Sequence, residues 1–320
     1  MLYSILKIPA KLALHLYCRS LRISDRKWLQ HKGPLLIASN HPNSFLDAII
    51  LATIFRKPVY SLARGDAFAN PFYAKLLRWL NMFPVYRVSE GVENLDHNYT
   101  TFDECKELFK RNGIVLIFSE GRCINEWHLR PLKKGTARLA ISSWNDGIPL
   151  EVLPLGINYS SFHTFGKNMQ LNFGTPIVKS DVTLDDTYGR SVVEFNDNLR
   201  GQLLQLVVEK DPSDKEGIRK QFAVPVSFLE KIILFLPAVA GWLIHAPLFY
   251  PIKKITWPKT KHNDHYDSVI VGLLFLLYPL YLLAITMVTV TFTCNAWFWL
   301  LLIALPFCAW SYVRLKHQLD

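Results

Sequence analysis

A histidine and an aspartate with five residues between them stand in SNHPNSFLDA (residues 39–48), directly after the apolar run LLIA. The Asn-His-Pro-Asn-Ser cluster is turn chemistry, so His41 falls in a turn that ends a buried strand. Asn43 or Ser44 can cap a helix starting near Phe45, which puts Asp47 in that helix's first turn. A carboxylate that accepts from one imidazole nitrogen leaves the other free to take a proton, for example from a hydroxyl. The outcome depends on where the intervening residues sit. A residue added to the turn before the cap leaves Asp47 in the first turn, facing back towards His41. One residue more inside the helix would rotate Asp47 away by about 100°.

Other charged groups recur at the ends of apolar runs. FPVYR ends one at Arg87, and IVLIFSEGRC ends another with Glu120, Gly121 and Arg122. PLKKG opens a helical stretch with Lys133 and Lys134, and EVLPLG carries Pro154 in a late strand. Taken singly, Arg87, Lys133 and Lys134 read first as solvated surface charges, and Glu120 reads also as half of a surface salt bridge. In a parallel sheet the carboxyl ends of such strands can converge on one crevice, which would set cations suited to a phosphate beside the base.

The elements that would hold these groups follow from periodicity. Short apolar runs at 35–39, 59–63, 84–88, 114–118, 151–158 and 169–173 read as strands. Helical patterns fall at about 45–55, 70–81, 95–112, 134–145 and 190–209. This alternation predicts an α/β domain over residues 31–226, with a largely parallel sheet flanked by helices. The polar stretch at 211–220 reads as a linker.

Both ends of the chain have a different character. Residues 1–30 predict an amphipathic helix with basic neighbours, either at a membrane surface or packed on its own domain. Lys7, Lys11 and Arg19 interrupt any signal-peptide core. From Ser268 to Val313 no residue is charged, about twice the ~20 residues that one crossing needs. A polar break at 291–295 divides this run into two transmembrane helices, about 268–290 and 296–313. Lysines before the pair and Arg314 and Lys316 after it place both ends in the cytoplasm. The apolar run at 232–252 carries three prolines and a glycine. It reads as a broken or re-entrant segment of the hydrophobic region 227–320, with an ordinary crossing as the alternative.

Half of the 320 residues are hydrophobic, 19% are charged, and the net charge is +10. A chain both apolar and basic favours an anionic membrane surface. Nucleic acid is disfavoured, because the basic residues flank apolar runs instead of interleaving with exposed aromatics. Five scattered cysteines form neither a disulfide framework nor a zinc motif, and no metal cluster is evident.

Four blocks in order, over about residues 34–160, resemble the glycerolipid acyltransferases of the bacterial 1-acylglycerol-3-phosphate acyltransferase type. SNHPNSFLD resembles the block whose histidine is the catalytic base and whose aspartate orients it. FPVYR and FSEGR resemble the blocks that bind the acceptor, and VLPLG the block whose proline shapes the acyl-donor site. Two departures stand out: five residues instead of four between His41 and Asp47, and Glu-Gly-Arg with no threonine and with Ser119 in the proline's place. The resemblance implies His41 as base and Asp47 as its partner. It implies Arg87, Glu120, Gly121, Arg122, Lys133 and Lys134 at the acceptor, and Pro154 at the acyl donor. The implied reaction moves a fatty acyl group from acyl-CoA or acyl-carrier protein to a hydroxyl of a lysophospholipid or glycerol phosphate, among membrane lipids. It needs no cofactor or metal and takes place at the cytoplasmic (inner) membrane, with the catalytic domain facing the cytoplasm. No G-x-S-x-G elbow is present, which agrees with direct transfer. Competing readings keep the chemistry with glycerol 3-phosphate or another lysolipid as acceptor, turn it to thioester hydrolysis, or make the chain a non-catalytic lipid-binding membrane protein.

Overall fold

The computed structural model describes residues 2–86, 96–184 and 188–316. Its centre is a seven-stranded sheet in the order β1-β7-β6-β2-β5-β3-β4. The strands are β1 (Cys18–Ile23), β2 (Leu35–Ser39), β3 (Val59–Arg64), β4 (Met82–Val85), β5 (Ile114–Phe118), β6 (Glu151–Tyr159) and β7 (Lys167–Phe173). All neighbours are parallel except β6 and β7. The helices of this part are α1 (Leu2–Tyr17), α2 (Phe45–Ile54), α3 (Pro71–Trp79), α4 (His97–Lys110), α5 (Gly135–Asn145), α6 (Tyr188–Leu206) and α7 (Lys215–Phe222). The fold is thus the expected α/β arrangement.

β2 explains the layering. Its five residues are all buried, because both faces are covered, as an uninterrupted apolar run in a parallel sheet requires. Leu35 and Ile37 point into a core with Leu46, Leu51 and Phe55 of the α2 region. Leu36 and Ala38 point the other way, to Ala140 and Trp144 of α5 and Phe195 of α6. In parallel register β2 lies between β5 (Leu35 opposite Ile114) and β6 (Leu35 opposite Glu151). The chain leaves β2 for β3, beyond β5. The carboxyl end of β2 is therefore a switch point, where open α/β sheets leave a crevice.

Two expectations are corrected. Residues 1–30 are not one helix: α1 ends at Tyr17, and Cys18–Ile23 is an edge strand parallel to β7. Leu21 and Ile23 pack against the core, while Arg19 and Arg22 donate to the carbonyls of Val224 and Ala223. The two-residue alternation there was masked by the helical pattern before it. The polar stretch 211–220 is not merely a linker either. Asp214 caps α7 by accepting from the Gly217 amide, and Ile218 and Phe222 anchor α7 in the core.

Among the described residues, three helices are long and apolar enough to cross a membrane: α8 (Phe228–Thr260), α9 (Tyr266–Thr293), and the segment Ala296–Leu315, a 3-10 turn followed by α10 (Leu301–Leu315). The break expected within 232–252 is absent, and the segment lies inside unbroken α8. A helical proline removes one donor and clashes with the turn before it, so it can kink a helix without ending it. α8 packs on α10 and on the catalytic domain. Glu230 pairs with Arg314 at 2.6 Å. Gly241 touches α10 so closely that a Cβ would stand 2.1 Å from the Cys308 carbonyl oxygen. Phe249 meets the Phe165 ring edge-on at 5.7 Å, and Lys316 lies over that same ring at 5.9 Å.

Candidate active site

The loop after β2 is fastened on three sides. Asn40 uses both ends of its amide, Nδ2 donating to the Ile157 carbonyl at 2.9 Å and Oδ1 accepting from the Ile157 amide at 2.8 Å, so that it acts as a short strand partner for β6. The His41 amide donates to Glu120 Oε2 at 2.8 Å, and the His41 carbonyl accepts from the Ile124 amide at 3.2 Å. The half-buried His41 ring stacks on Phe118, with centroids 3.6 Å apart and planes 10° from parallel.

His41 Nδ1 lies 2.8 Å from Asp47 Oδ2. The extra residue of this block is absorbed before the helix. Ser44 takes a positive φ of 50°, α2 starts at Phe45, and Asp47 is the third residue of its first turn. Ser44 does not cap α2 with its side chain; its Oγ pairs with His265 Nδ1 at 2.7 Å. Asp47 is fully buried and its oxygens are all engaged. Oδ2 also accepts from the Asn43 amide at 2.8 Å, and Oδ1 accepts from the Tyr159 hydroxyl at 2.7 Å. Burial, with the Asp47 charge alongside, holds the Tyr159 phenol well above its ordinary pKa, so it stays protonated and keeps donating. Because the carboxylate can only accept, Nδ1 carries the proton and Nε2 is the acceptor.

His41 lines a cavity of about 1620 Å³. That volume exceeds the usual range for one small ligand, about 300–1,000 Å³. Its lining mixes apolar side chains, Phe45, Leu62, Leu77, Phe102 and Phe118 among them, with the cations Arg64, Lys106, Arg122, Lys133, Lys134 and Arg138; Asp103 also lines it and pairs with Lys106.

The predicted site residues distribute as follows. His41, Gly121, Arg122, Lys133 and Lys134 line this cavity. Gly121 has a φ of +66°, and a Cβ there would stand 3.0 Å from Lys133 Cγ, so this turn favours glycine on two counts. Glu120 is buried and is not part of the cavity wall. Its Oε2 holds the His41 amide and its Oε1 the Arg130 amide at 2.9 Å, which makes it a support for the histidine loop. Burial raises its carboxyl pKa, against the lowering effect of those two N–H donors. Pro154 lies buried inside β6 opposite Ala38 and does not line the cavity. A proline is tolerated there because β7 ends its pairing at Leu155, and the next β6 bridge is Val152 to Ile177. Arg87 lies outside the described residues.

Sequence reasoning missed four groups. Asn40 and Tyr159 act through atoms that no local pattern reveals. Arg64 ends β3 just as the predicted cations end their strands, and that signal was available. The turn between α8 and α9 closes the cavity with His262, Asn263, Asp264 and His265, some 220 residues from His41. Burial pushes the neighbouring Cys123 thiol up, and its sulfur accepts from the Ser44 amide at 2.9 Å, so it is a structural thiol.

Residues 20–158 match the family model described as Acyltransferase. No curated protein matches the chain. Among solved structures, the chain is similar to the crystal structure of the 1-acyl-sn-glycerophosphate (LPA) acyltransferase, PlsC, from Thermotoga maritima. The TM-score is 0.45 at 15% identity, covering 70% of this chain and 82% of that one. The matched segment holds β2, the His41–Asp47 pair and the turn after β5. Residues 20–158 are thus similar to the acyltransferase family, within a chain whose long apolar helices suit association with a membrane.

Proposed function

We infer that the chain transfers a fatty acyl group from a thioester, acyl-CoA or acyl-carrier protein, to the hydroxyl of 1-acylglycerol 3-phosphate, giving phosphatidic acid for phospholipid synthesis. The observation that carries this reading is the 2.8 Å His41–Asp47 contact at the wall of a cavity lined by both apolar and cationic side chains. His41 Nε2 takes the acceptor's hydroxyl proton as that oxygen bonds to the thioester carbonyl carbon. The C–S bond then breaks, and the imidazolium returns the proton to the leaving thiolate. Asp47 holds the ring and offsets its transient positive charge, as the third member of a hydrolytic triad does, with the substrate supplying the hydroxyl. Arg122, Lys133 and Lys134 bind the phosphate by charge-assisted hydrogen bonds, and the apolar side chains take the acyl chain. Fixing both substrates in one cavity can itself supply several kcal/mol of the barrier reduction. No cofactor takes part.

The membrane arrangement supports the same reading. The chain just before α8 meets β1 through Val224 and Arg19, and α9 begins at Tyr17 and Lys167. Both ends of α8 thus return to the catalytic domain, as a re-entrant segment would. α9 and α10 form the crossing hairpin, the catalytic domain and flanking lysines lie on the cytoplasmic side, and α1 lies along the membrane surface. Purified protein given one labelled acyl-CoA and a panel of acceptors tests the assignment. Phosphatidic acid should form fastest from 1-acylglycerol 3-phosphate. Free fatty acid released at full rate without acceptor would instead make the chain a thioesterase, and preference for glycerol 3-phosphate would move the acceptor.

A further inference from the structure

The catalytic loop is also held from the membrane side, by residues beyond the acyltransferase-family segment. Asp267, in the first turn of α9, is fully buried, and so is Lys167 at the start of β7. They form an ion pair. The same Asp267 oxygen, Oδ2, accepts from Asn43 Nδ2 at 2.8 Å and from the Tyr17 hydroxyl at 3.1 Å. Asn43 in turn donates its backbone amide to Asp47 Oδ2, the oxygen that receives His41 Nδ1–H.

A second route leads to the same carboxylate. Lys167 Nζ lies 5.6 Å from the Tyr17 ring centre and 5.9 Å from that of Tyr159, and the Tyr159 hydroxyl holds Asp47 Oδ1. Both oxygens of Asp47 are thereby tied to one buried pair, once through Asn43 and once through Tyr159. Two further contacts strap the same turn to the site: His265 on Ser44, and Asp264 Oδ1 accepting from the Asn125 amide at 2.9 Å.

A buried ion pair is a poor stability device. Its desolvation cost rivals its attraction, and an apolar pair of similar volume is often as stable. What such a pair does well is fix positions. We propose that Asp267, paired with Lys167, is a positioning residue for acyl transfer: the membrane helix α9 sets the His41–Asp47 geometry through Asn43. The catalytic centre is then complete only when α9 is docked. This rests on the assignment of His41 as the base.

The full-length protein in phosphatidylglycerol-containing vesicles tests it, with labelled acyl-CoA and 1-acylglycerol 3-phosphate as substrates. Lys167→Met with Asp267→Leu removes both charges together; it should lower the melting temperature without unfolding the protein, because the Tyr17 hydroxyl and Asn43 Nδ2 lose their shared acceptor. It also removes the acceptor for Asn43 Nδ2, so kcat should fall about ten- to a hundredfold with both KM values unchanged. A folded double variant with wild-type kcat would overturn the inference, and so would a raised acceptor KM at unchanged kcat. If the double variant does not fold, Asn43→Ala decides. It keeps the backbone donor to Asp47 and removes an amide whose Oδ1 has no hydrogen-bond partner, so folding should persist while kcat falls; wild-type kcat there overturns the inference. His41→Ala run alongside separates the two levels. If it is inactive while the double variant is fully active, only the positioning role is lost; if it is active, the base assignment itself is lost.

Discussion

Asp47→Asn isolates the charge behind the histidine. In the native site, Oδ2 faces two donors, His41 Nδ1–H and the Asn43 amide, and Oδ1 faces the Tyr159 hydroxyl. An asparagine can put its oxygen towards the two donors and its NH2 towards Tyr159, whose hydroxyl is able to accept. Ring orientation and tautomer then survive, and only the negative charge is lost. With about 4 Å between charge centres, an imidazolium and a carboxylate attract by ~4 kcal/mol at an effective dielectric of ~20. Asp47 is fully buried and the His41 side chain is 18% exposed, so solvent screening leaves most of that attraction. The charge on His41 exists only while it holds the acceptor's proton, so the loss falls on the transition state. Steady-state acyl transfer should show kcat lower by about a thousandfold with both KM values unchanged. A kcat within about tenfold of the wild type in a folded Asp47→Asn protein would refute electrostatic support of the base by Asp47.

Three further outcomes follow from the same contacts. Tyr159→Phe removes one donor to Asp47 but leaves the other two, so kcat should fall much less than in Asp47→Asn, while thermal unfolding shows a loss of about 1.5–3 kcal/mol. Glu120 has a folded pKa above its unfolded value, so its titration favours the folded state below the unfolded carboxyl range, and that contribution is lost as pH rises through the raised value. Melting curves of wild type and Glu120→Gln across the acid range should therefore show the wild type losing ground to the variant as pH rises; the opposite slope would mean the two amide donors outweigh burial. Gly241→Ala must push α8 and α10 apart, because the new Cβ meets the Cys308 carbonyl, and should cost about 1–3 kcal/mol in detergent; an unchanged melting temperature would show that this close approach is not needed.

The strands that carry the site were legible because a buried parallel strand is a short apolar run with turn chemistry after it, and β2 and β5 fall at 35–39 and 114–118 as read. His41 and Asp47 were legible because their partnership is local: one turn and one helix start bring them together. The strain that makes this possible, the positive φ of Ser44, has no signature in the residue type. Roles set by the fold were not legible. Glu120 sits in an acceptor-like motif yet spends both oxygens on backbone amides, and Pro154 is placed by where its neighbouring strand stops. Cys18–Ile23 read as helix because its strand character depends on a partner about 150 residues away. The α8–α9 turn lies in a region read only for its hydropathy, and a hydropathy profile cannot show that Asp267 and His265 reach back to the catalytic loop.

Acyl transfer by His41→Ala in membranes, with acyl-CoA and 1-acylglycerol 3-phosphate supplied, tests the central claim most directly. General-base catalysis contributes about 10²–10⁴-fold, so product formation should drop by at least about a hundredfold while the protein stays folded and membrane-bound. Product at close to the wild-type rate would mean that the imidazole does not take the proton, and the mechanism built on it would fall.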